Sequence, residues 1–576
     1  MLRARPRAPF PRGHTYLCPS VLQMPRVNAS TVRQRLMEEV PQAAGLHVAS
    51  LLGDVVDRDP ANLTVTTIEN LSEPFRSRAR ELIERDGHYF GVQWMQLMGL
   101  QKVLLTIEPN DGDTNGGAVV KQAFALADCA NTPPDDFVAS MTQMAFLSYT
   151  EQIPQLMARY WEIFVLEAAD PTLLQDESFL SLESEFEHAF GLPLTPFVCV
   201  AFGLVLKGVE NWNKKATDKD WQSPQLDVEA MFAPTRIDPS HLARAIELLA
   251  TNMDEAQAWA RAGWRKKGPS RDYWYDFGLM RQKPLLRLDE RRVHRFSTRL
   301  AAERVTSGLF HYYANADTGR LQHFRTYFGR MYERYVQRCF QRMQGMLADA
   351  RLDGDQMYGS PVKRAPDVLW VEGGILCVLE VVALRLTEPA ITSADAESVR
   401  RYIDRIVGKM SQIDERLADF KAGDYTVDGL SWDSFNAVVP VVVTVEQPPL
   451  VASLDAERLP MLADVVDERV RSAGLLADER ITRPQIIGAV DVEALEALLE
   501  AGAATPSEVL VSRALDSDGW RDTMANWMYD NYESVKQSTH MLSCERAMWN
   551  AISQELFGQD VEPPDEQDES SPAAAD

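Results

Sequence analysis

Cysteine is scarce in this sequence, with six residues among 576 and no CxxC pair. Zinc sites and disulfide frameworks are usually marked by closely spaced cysteines. Three of the six lie in apolar runs and are expected to be reduced core residues. The spacing therefore argues against both a disulfide-rich class and a zinc-binding class.

Long apolar runs are also missing. The longest, Phe197–Leu206, is far shorter than the ~20 residues that a membrane helix needs. Residues 1–23 carry four arginines among four prolines and lack the apolar centre of a signal peptide. We interpret them as a disordered leader or a mis-assigned start, with Met24 as the better start. The expected location is the cytoplasm, with no membrane association.

Positive charge is in deficit: 59 Lys and Arg stand against 84 Asp and Glu, a net charge of −25. A protein that coats nucleic acid non-specifically usually has the opposite balance. Any surface that binds nucleic acid must therefore be local.

The length predicts more than one domain. Apolar residues recur at helical spacing through residues 24–260, which predicts a large all-α N-terminal domain. Residues 261–320 are interpreted as a basic connector with a hairpin and a helix, and 321–548 as an α/β domain. Residues 549–576 are expected to contain a helix end and then a disordered acidic tail.

The most informative stretch is a predicted β-hairpin. Val368–Val371 and Ile375–Val382 are apolar runs rich in β-branched residues, separated by a turn containing two glycines. Asp367 precedes the first strand and Glu380 lies inside the second. A carboxylate in an apolar strand is costly to bury unless a cation neutralises it. Two carboxylates brought together in this way suit Mg²⁺.

These residues resemble the PD-(D/E)xK, or restriction-endonuclease-like, nuclease superfamily. Pro366-Asp367 matches the PD element, Glu380-Val381-Val382 matches the E-x-K element, and the helix before the hairpin carries Glu333. The resemblance implies a mixed sheet flanked by helices over 321–548, and endonuclease activity with Mg²⁺ or Mn²⁺. It implies that Asp367, Glu380 and the Val381 carbonyl hold the metal. Glu333 would bind a second metal or orient water.

One departure concerns the catalytic lysine, since Val382 occupies its position and cannot stabilise a charged transition state. In some members of the superfamily the lysine lies on the helix after this strand. Lys409, within the predicted helix Ala394–Phe420, is the first candidate substitute. Lys363 is the second.

Two basic features predict contact with nucleic acid, DNA in the first instance. Between Arg261 and Arg304 thirteen Lys or Arg stand against five Asp or Glu, with aromatic residues interleaved. In the helix before the hairpin, arginines recur every fourth residue and share one face, which is typical of a phosphate track. The alternative is a solvated helix face whose arginines form ion pairs with acids of the N-terminal half. The predicted contact residues are Arg265, Lys266, Lys267, Arg330, Arg334, Arg338 and Arg342.

Two other interpretations remain. The valine favours a catalytically inactive pseudo-nuclease that binds nucleic acid or a partner protein. A third interpretation is an acidic scaffold with Glu380–Arg385 and Glu333–Arg330 ion pairs. The layout also resembles uncharacterised bacterial proteins from phage-defence settings, which is an analogy only. The sequence does not identify partner genes, and both a partner protein and a homodimer stay open.

Overall fold

The computed structural model describes residues 15–558 apart from short gaps, of which the longest are 131–137, 210–223 and 451–460. Helices predominate among these residues. They are α1 Ala29–Glu39, α2 Gln42–Arg58, α3 Pro60–Glu69, α4 Phe75–Asp86, α5 Trp94–Leu105, α6 Gly116–Ala130, α7 Ile153–Trp161, α8 Leu182–Phe190, α9 Leu194–Val209, α10 Val228–Phe232, α11 Pro239–Leu249, α12 Met253–Ala262, α13 Gly278–Gln282, α14 Thr298–Arg304, α15 Leu309–Asn315, α16 Leu321–Met346, α17 Glu388–Ser393, α18 Ala396–Ala422, α19 Leu462–Ser472, α20 Ala489–Glu500, α21 Pro506–Leu515, α22 Met524–Asn531 and α23 Thr539–Phe557.

The strands are short except near the predicted hairpin. They are β1 Thr15–Tyr16, β2 Tyr89–Phe90, β3 Gln225–Asp227, β4 Ala250–Asn252, β5 Trp264–Arg265, β6 Gly268–Pro269, β7 Leu285–Arg287, β8 Arg292–Arg295, β9 Arg351–Asp353, β10 Met357–Tyr358, β11 Lys363–Arg364, β12 Val368–Glu372, β13 Ile375–Val382, β14 Ala437–Thr444 and β15 Gln485–Gly488.

The predicted hairpin is confirmed and forms the centre of a mixed five-stranded sheet with the order β15-β14-β13-β12-β9. β12 and β13 are antiparallel, with Glu372 paired to Ile375. The two turn residues, Gly373 and Gly374, have φ values of 57° and 77°, which residues with a Cβ adopt only with strain. β13, β14 and β15 run parallel.

The two faces of this sheet pack against different helices. Cys377 and Leu379 belong to the core that includes α16 and α20. Leu376 and Val378, which alternate with them along β13, belong to the core that includes α18. Alternation along the strand thus produces three layers, with helices on both faces of the sheet. The coarse α/β architecture that we predicted is confirmed.

The prediction of an all-α segment over residues 24–260 is wrong. β3 and β4 lie in this segment and join β7 and β8 in a four-stranded sheet with the order β3-β8-β7-β4. Strands this short contain too few residues for a period-two pattern to be detected. Their partners also lie far along the chain, as in the pairing of Leu226 with Val293.

The predicted disordered leader is also wrong in part. Thr15–Tyr16 pairs with Tyr89–Phe90 in parallel, and Leu22 is fully buried. Residues 1–14 and the predicted acidic tail from 559 to 576 lie outside the described residues. Among the described residues, no single helix is both long and apolar enough to cross a membrane. Leu182–Phe190 and Leu194–Lys207 reach that length and composition only as a pair, bent by 79°.

Both hydrophobic cores draw residues from the two halves of the chain. One contains Phe197 together with Tyr327 and Val441, and the other contains Leu100 together with Ile406. Burial of apolar surface therefore holds the helical half against the hairpin half.

Candidate active site at the end of the hairpin

Asp367 and Glu380 are brought together by the register of the hairpin. Val368 pairs with Leu379, so the residue before β12 lies beside Glu380. The Asp367 Oδ2 atom accepts a hydrogen bond of 2.8 Å from the Val381 N–H. Both carboxylates are buried, with Asp367 8% and Glu380 6% exposed. Val381 thus contributes to the site through its amide, which orients Asp367.

Lys409 reaches this pair from α18. Its Nζ lies 2.8 Å from the Glu380 Oε2 atom, because α18 packs on the face of β13 to which Glu380 points. The prediction that Lys363 could replace the catalytic lysine is wrong, since its Nζ pairs with Asp419 at 2.8 Å and with Glu415 at 3.2 Å.

Glu333 lies close enough to Asp367 for its pKa to respond to that charge, but it is paired with two arginines, and its expected role of binding a second metal or orienting water stays a prediction. One of its oxygens is paired with Arg364, and Oε2 lies 3.4 Å from Arg330 Nη1. Burial and the nearby Asp367 charge raise the pKa of Glu333, while Arg364 opposes that rise. Glu333 therefore borders the site as the partner of two guanidinium groups.

The pKa of Asp367 is raised to about 6, first by burial and then by the Glu380 charge. The Val381 N–H, Lys409 and Arg364 act in the opposite direction. Two negative groups in a site of low polarity favour either a proton or a metal ion between them.

The donor set suits Mg²⁺ or Mn²⁺. Among the described residues Glu380 Oε1 has no hydrogen-bond partner, and Asp367 Oδ1 has only Arg364 Nη1 at 3.8 Å. One oxygen of each carboxylate is therefore available. Mg²⁺ is commonly held by one or two carboxylates while it keeps several waters.

Two residues of the site were missed from the sequence. Arg364 lies beside both Glu333 and Asp367, and Gln337 Nε2 donates to the Asp367 carbonyl at 3.2 Å. Arg364 lies three residues before Asp367, and this local spacing was the only available signal.

The arginine column of α16 is not a continuous phosphate track. Arg338 pairs with Asp170 and, at 3.0 Å, with Glu167. Arg342 Nε lies 2.6 Å from Glu496 Oε1, Arg330 pairs with Glu333, and Arg334 lies near Glu167. The arginines pair with acids of the protein itself, but only Glu167 and Asp170 belong to the N-terminal half, as the alternative interpretation expected, whereas Glu333 and Glu496 do not.

Replacement of Arg338 by glutamine is expected to destabilise the protein and leave nucleic-acid binding unchanged. Glu167 is fully buried, and burial raises its pKa to about 7 although Arg338 opposes this. Loss of the guanidinium removes a charged donor from the buried Asp170 carboxylate and a nearby positive charge from Glu167, at a cost of about 1–3 kcal/mol. Urea unfolding measures the stability, and the fluorescence anisotropy of a labelled oligonucleotide measures the binding. Weaker binding at unchanged stability would contradict this and support the phosphate-track prediction.

Other predicted basic residues contribute less. Lys266 and Lys267 lie outside the described residues, and only the backbone of Arg265, in β5, is described. Arg385 does not neutralise Glu380, because its guanidinium pairs with Glu446. The Glu333–Arg330 pair of the scaffold interpretation is present and its Glu380–Arg385 pair is not.

A second cluster of metal-binding residue types lies elsewhere. His540 Nε2 is 2.9 Å from Glu162 Oε1 and 3.3 Å from Cys544 Sγ. Among the described residues this is the only group of three such side chains with ligand atoms within 4.8 Å of one another. Arg342 Nη1 lies 3.9 Å from the same Glu162 oxygen. The nitrogen and sulfur atoms do not suit Mg²⁺ or Mn²⁺, which prefer oxygen ligands.

Comparisons with protein-family models, with curated protein sequences and with solved structures found no match for this chain.

Proposed function

We propose that this protein is a metal-dependent nuclease with a restriction-endonuclease-like domain over residues 321–548. The observation that carries the proposal is the contact between Lys409 Nζ and Glu380 Oε2 at 2.8 Å, beside an Asp367 held by the Val381 amide. A lysine from α18 thus takes the place left by Val382. The mixed sheet with α16 and α18 on opposite faces supports the same fold.

Asp367 and Glu380 would hold Mg²⁺ or Mn²⁺ through their available oxygens. When bound, such an ion lowers the pKa of a coordinated water and neutralises charge on a phosphate. The Val381 N–H fixes the orientation of the Asp367 carboxylate, and the Lys409 ammonium is placed to stabilise negative charge that develops on the phosphate. Arg364 bridges Glu333 and Asp367, so Glu333 lies beside the metal ligands while paired with a cation.

A pseudo-nuclease is the second candidate function. The observation that favours it is that both carboxylates already have a cation nearby, Lys409 at Glu380 and Arg364 at Asp367. In that case the same surface binds nucleic acid without hydrolysis. The free cysteines among the described residues support an intracellular, reducing location for either function.

The deciding experiment incubates the purified full-length protein with plasmid DNA, single-stranded DNA and RNA in Mg²⁺, Mn²⁺ or EDTA. We expect cleavage in the presence of either metal and none in EDTA. Binding of the same substrates is measured in EDTA by fluorescence anisotropy. Binding without cleavage in either metal would select the pseudo-nuclease, and neither activity would reject both functions.

A further inference from the structure

A large cleft opens beyond the end of β13. Its volume is about 960 Å³, and its floor is the chain that follows Glu380, residues 382–389. One wall is the start of α16, another is the first half of α18, and α14 and α15 complete it. The cleft is distinct from the arginine column of α16, which lies further along that helix and pairs with other acids.

The cleft concentrates positive charge in a protein that is otherwise acidic. In the part of the chain that the structure describes, five of its arginines have no carboxylate within ion-pairing distance: Arg281, Arg304, Arg325, Arg401 and Arg405. Of the two acids in the lining, Glu303 is already paired with Arg299 at 2.8 Å. The other is Glu388, whose buried Oε1 atom has no hydrogen-bond partner among the described residues, and the five arginines outweigh its single charge. A concave surface of one charge focuses the electrostatic potential on a ligand of opposite charge.

Two of these guanidinium groups are held in place, and each has one nitrogen without an acceptor in the described part of the chain. Arg304 stacks 3.5 Å from the centre of the Tyr312 ring, and Arg281 lies 5.3 Å from that of Phe146. Among the described residues, the buried Arg304 Nε and Arg281 Nη1 atoms have no hydrogen-bond partner. Buried donors are nearly always paired. Both arginines are only partly buried and line the cleft, so the rest of each guanidinium group can meet a ligand with anionic oxygens.

The pKa of His311, which also lines the cleft, responds to the same positive charges. Burial, together with the charges of Arg385, Arg281 and Arg304, lowers the pKa of His311 to about 3. His311 is therefore neutral at physiological pH. The cleft keeps its positive charge through the arginines, which do not deprotonate in this range.

The cleft leads directly to the candidate active site. Arg401, Arg405 and Lys409 lie four residues apart on α18 and share one face of that helix. Two helical turns, a rise of about 12 Å, separate Arg401 from Lys409. Val382 lies two residues after Glu380 on the same face of β13 and lines the cleft. One stripe of cations therefore connects the arginines with the carboxylates.

We propose that this cleft binds the phosphodiester backbone of a single nucleic-acid strand and directs it to Asp367, Glu380 and Lys409. The direction of the strand rests on the proposed nuclease function. A cleft of about 960 Å³ has the size of a small-ligand site. It can enclose a few nucleotides of one strand and is too small to enclose a duplex, whose major groove alone is about 12 Å wide.

The test compares charge reversal inside and outside the cleft. Arg401→Glu with Arg405→Glu changes two exposed arginines of the cleft. The matched control, Arg400→Glu with Arg469→Glu, makes the same change of charge at residues that are absent from the lining and pair with Glu397 and Asp404. Circular dichroism checks that each full-length variant folds. The probes are fluorescein-labelled oligothymidylate, oligouridylate and a DNA duplex, titrated in EDTA so that binding is measured without cleavage.

For single strands we expect the cleft variant to bind at least about tenfold more weakly at about 100 mM salt, and the control to bind as the wild type does. The slope of log affinity against log salt should fall by about 1.4, since each lost phosphate contact contributes about 0.7. Tighter binding of oligothymidylate would identify the strand as DNA, and tighter binding of oligouridylate would identify it as RNA.

Equal losses in the cleft and control variants would overturn the proposal, as would a duplex that binds as tightly as the single strands. Competition by adenosine monophosphate as strong as that by an oligonucleotide would also overturn it, because the cleft would then be a mononucleotide site. Failure of the nuclease function looks different: strand binding would depend on Arg401 and Arg405, but no metal would produce cleavage. Cleavage that is unaffected by the cleft variant would reject the strand path alone.

Discussion

Replacement of Asp367 by asparagine is expected to reduce metal-dependent cleavage by about 10³-fold or more. Metal-ion catalysis contributes several kcal/mol to lowering the barrier, and each 1.36 kcal/mol is about a tenfold change in rate. Asparagine preserves the size of the side chain, and its oxygen still accepts the Val381 N–H, which aspartate accepts at 2.8 Å. The expected loss therefore reflects the missing negative charge at the metal site. Rates are measured on the single-stranded substrate with Mg²⁺ and Mn²⁺.

The pH dependence provides a second measurement of the same prediction. Burial and the Glu380 charge raise the pKa of Asp367 to about 6. A protonated carboxyl group does not bind a cation, so wild-type metal affinity should increase as the pH rises through about 6. In Asp367→Asn this group no longer titrates, and that increase should be lost. Titration of Mn²⁺ binding by electron paramagnetic resonance at a series of pH values measures this change in metal affinity without the need for turnover.

A control separates the loss of a ligand from general electrostatics. Asp404→Asn removes one exposed carboxylate from α18, the helix that carries Lys409, where its partner is Arg469, and should leave cleavage unchanged. Persistent cleavage by Asp367→Asn, with the same metal affinity as the wild type, would contradict the assignment of Asp367 as a ligand. Equal losses in both variants would point to the overall charge instead.

Local patterns predicted the hairpin region well because each feature is coded within a few residues. Two glycines between β-branched runs define the turn, and the observed α18, Ala396–Ala422, begins and ends within two residues of the predicted Ala394–Phe420. Amphipathic spacing decides which face of such a helix is buried. The same spacing placed Lys409 on a helix after the strand, and the structure brings it to Glu380.

The pairing of charges could not be predicted in this way. Arg338 and Arg342 share a helix face whether they meet phosphates or carboxylates, since the spacing is identical. Their partners Asp170 and Glu496 lie 168 and 154 residues away along the chain. Only tertiary packing brings these acids to α16, Asp170 from the first half of the chain and Glu496 from α20. The arginines of the cleft were equally hidden, because they come from α13, α14, α16 and α18.

The four-stranded sheet in the first half was missed for a related reason. Its strands β3, β4 and β7 each contain three residues, and short apolar segments of this length fit helix and strand patterns equally well. β4 lies between α11 and α12, so helical spacing on either side dominates the local signal. Long-range pairing, such as that of Thr251 with Leu286, decides the outcome.

Replacement of Arg159 by methionine is expected to cost about 3–5 kcal/mol of stability, because it leaves the Glu493 carboxylate buried without its counter-ion. The two side chains are 3% and 1% exposed, and they join α7 in the first half to α20 in the second. Gln155 Nε2 at 2.8 Å and the Tyr335 hydroxyl at 2.5 Å remain as donors to Glu493, but neither supplies a positive charge.

The measurement is urea unfolding at neutral pH, with an exposed ion pair as the matched control. Arg400 and Glu397 are 63% and 60% exposed, so Arg400→Met should cost no more than about 1 kcal/mol. Adding Glu493→Leu to Arg159→Met should recover much of the loss, since an apolar pair can replace a buried ion pair at little cost. An Arg159→Met midpoint equal to that of Arg400→Met would contradict the view that this buried pair fixes the two halves together. Recovery in the double variant would instead identify the uncompensated Glu493 charge, rather than lost packing of the arginine, as the cause of the destabilisation.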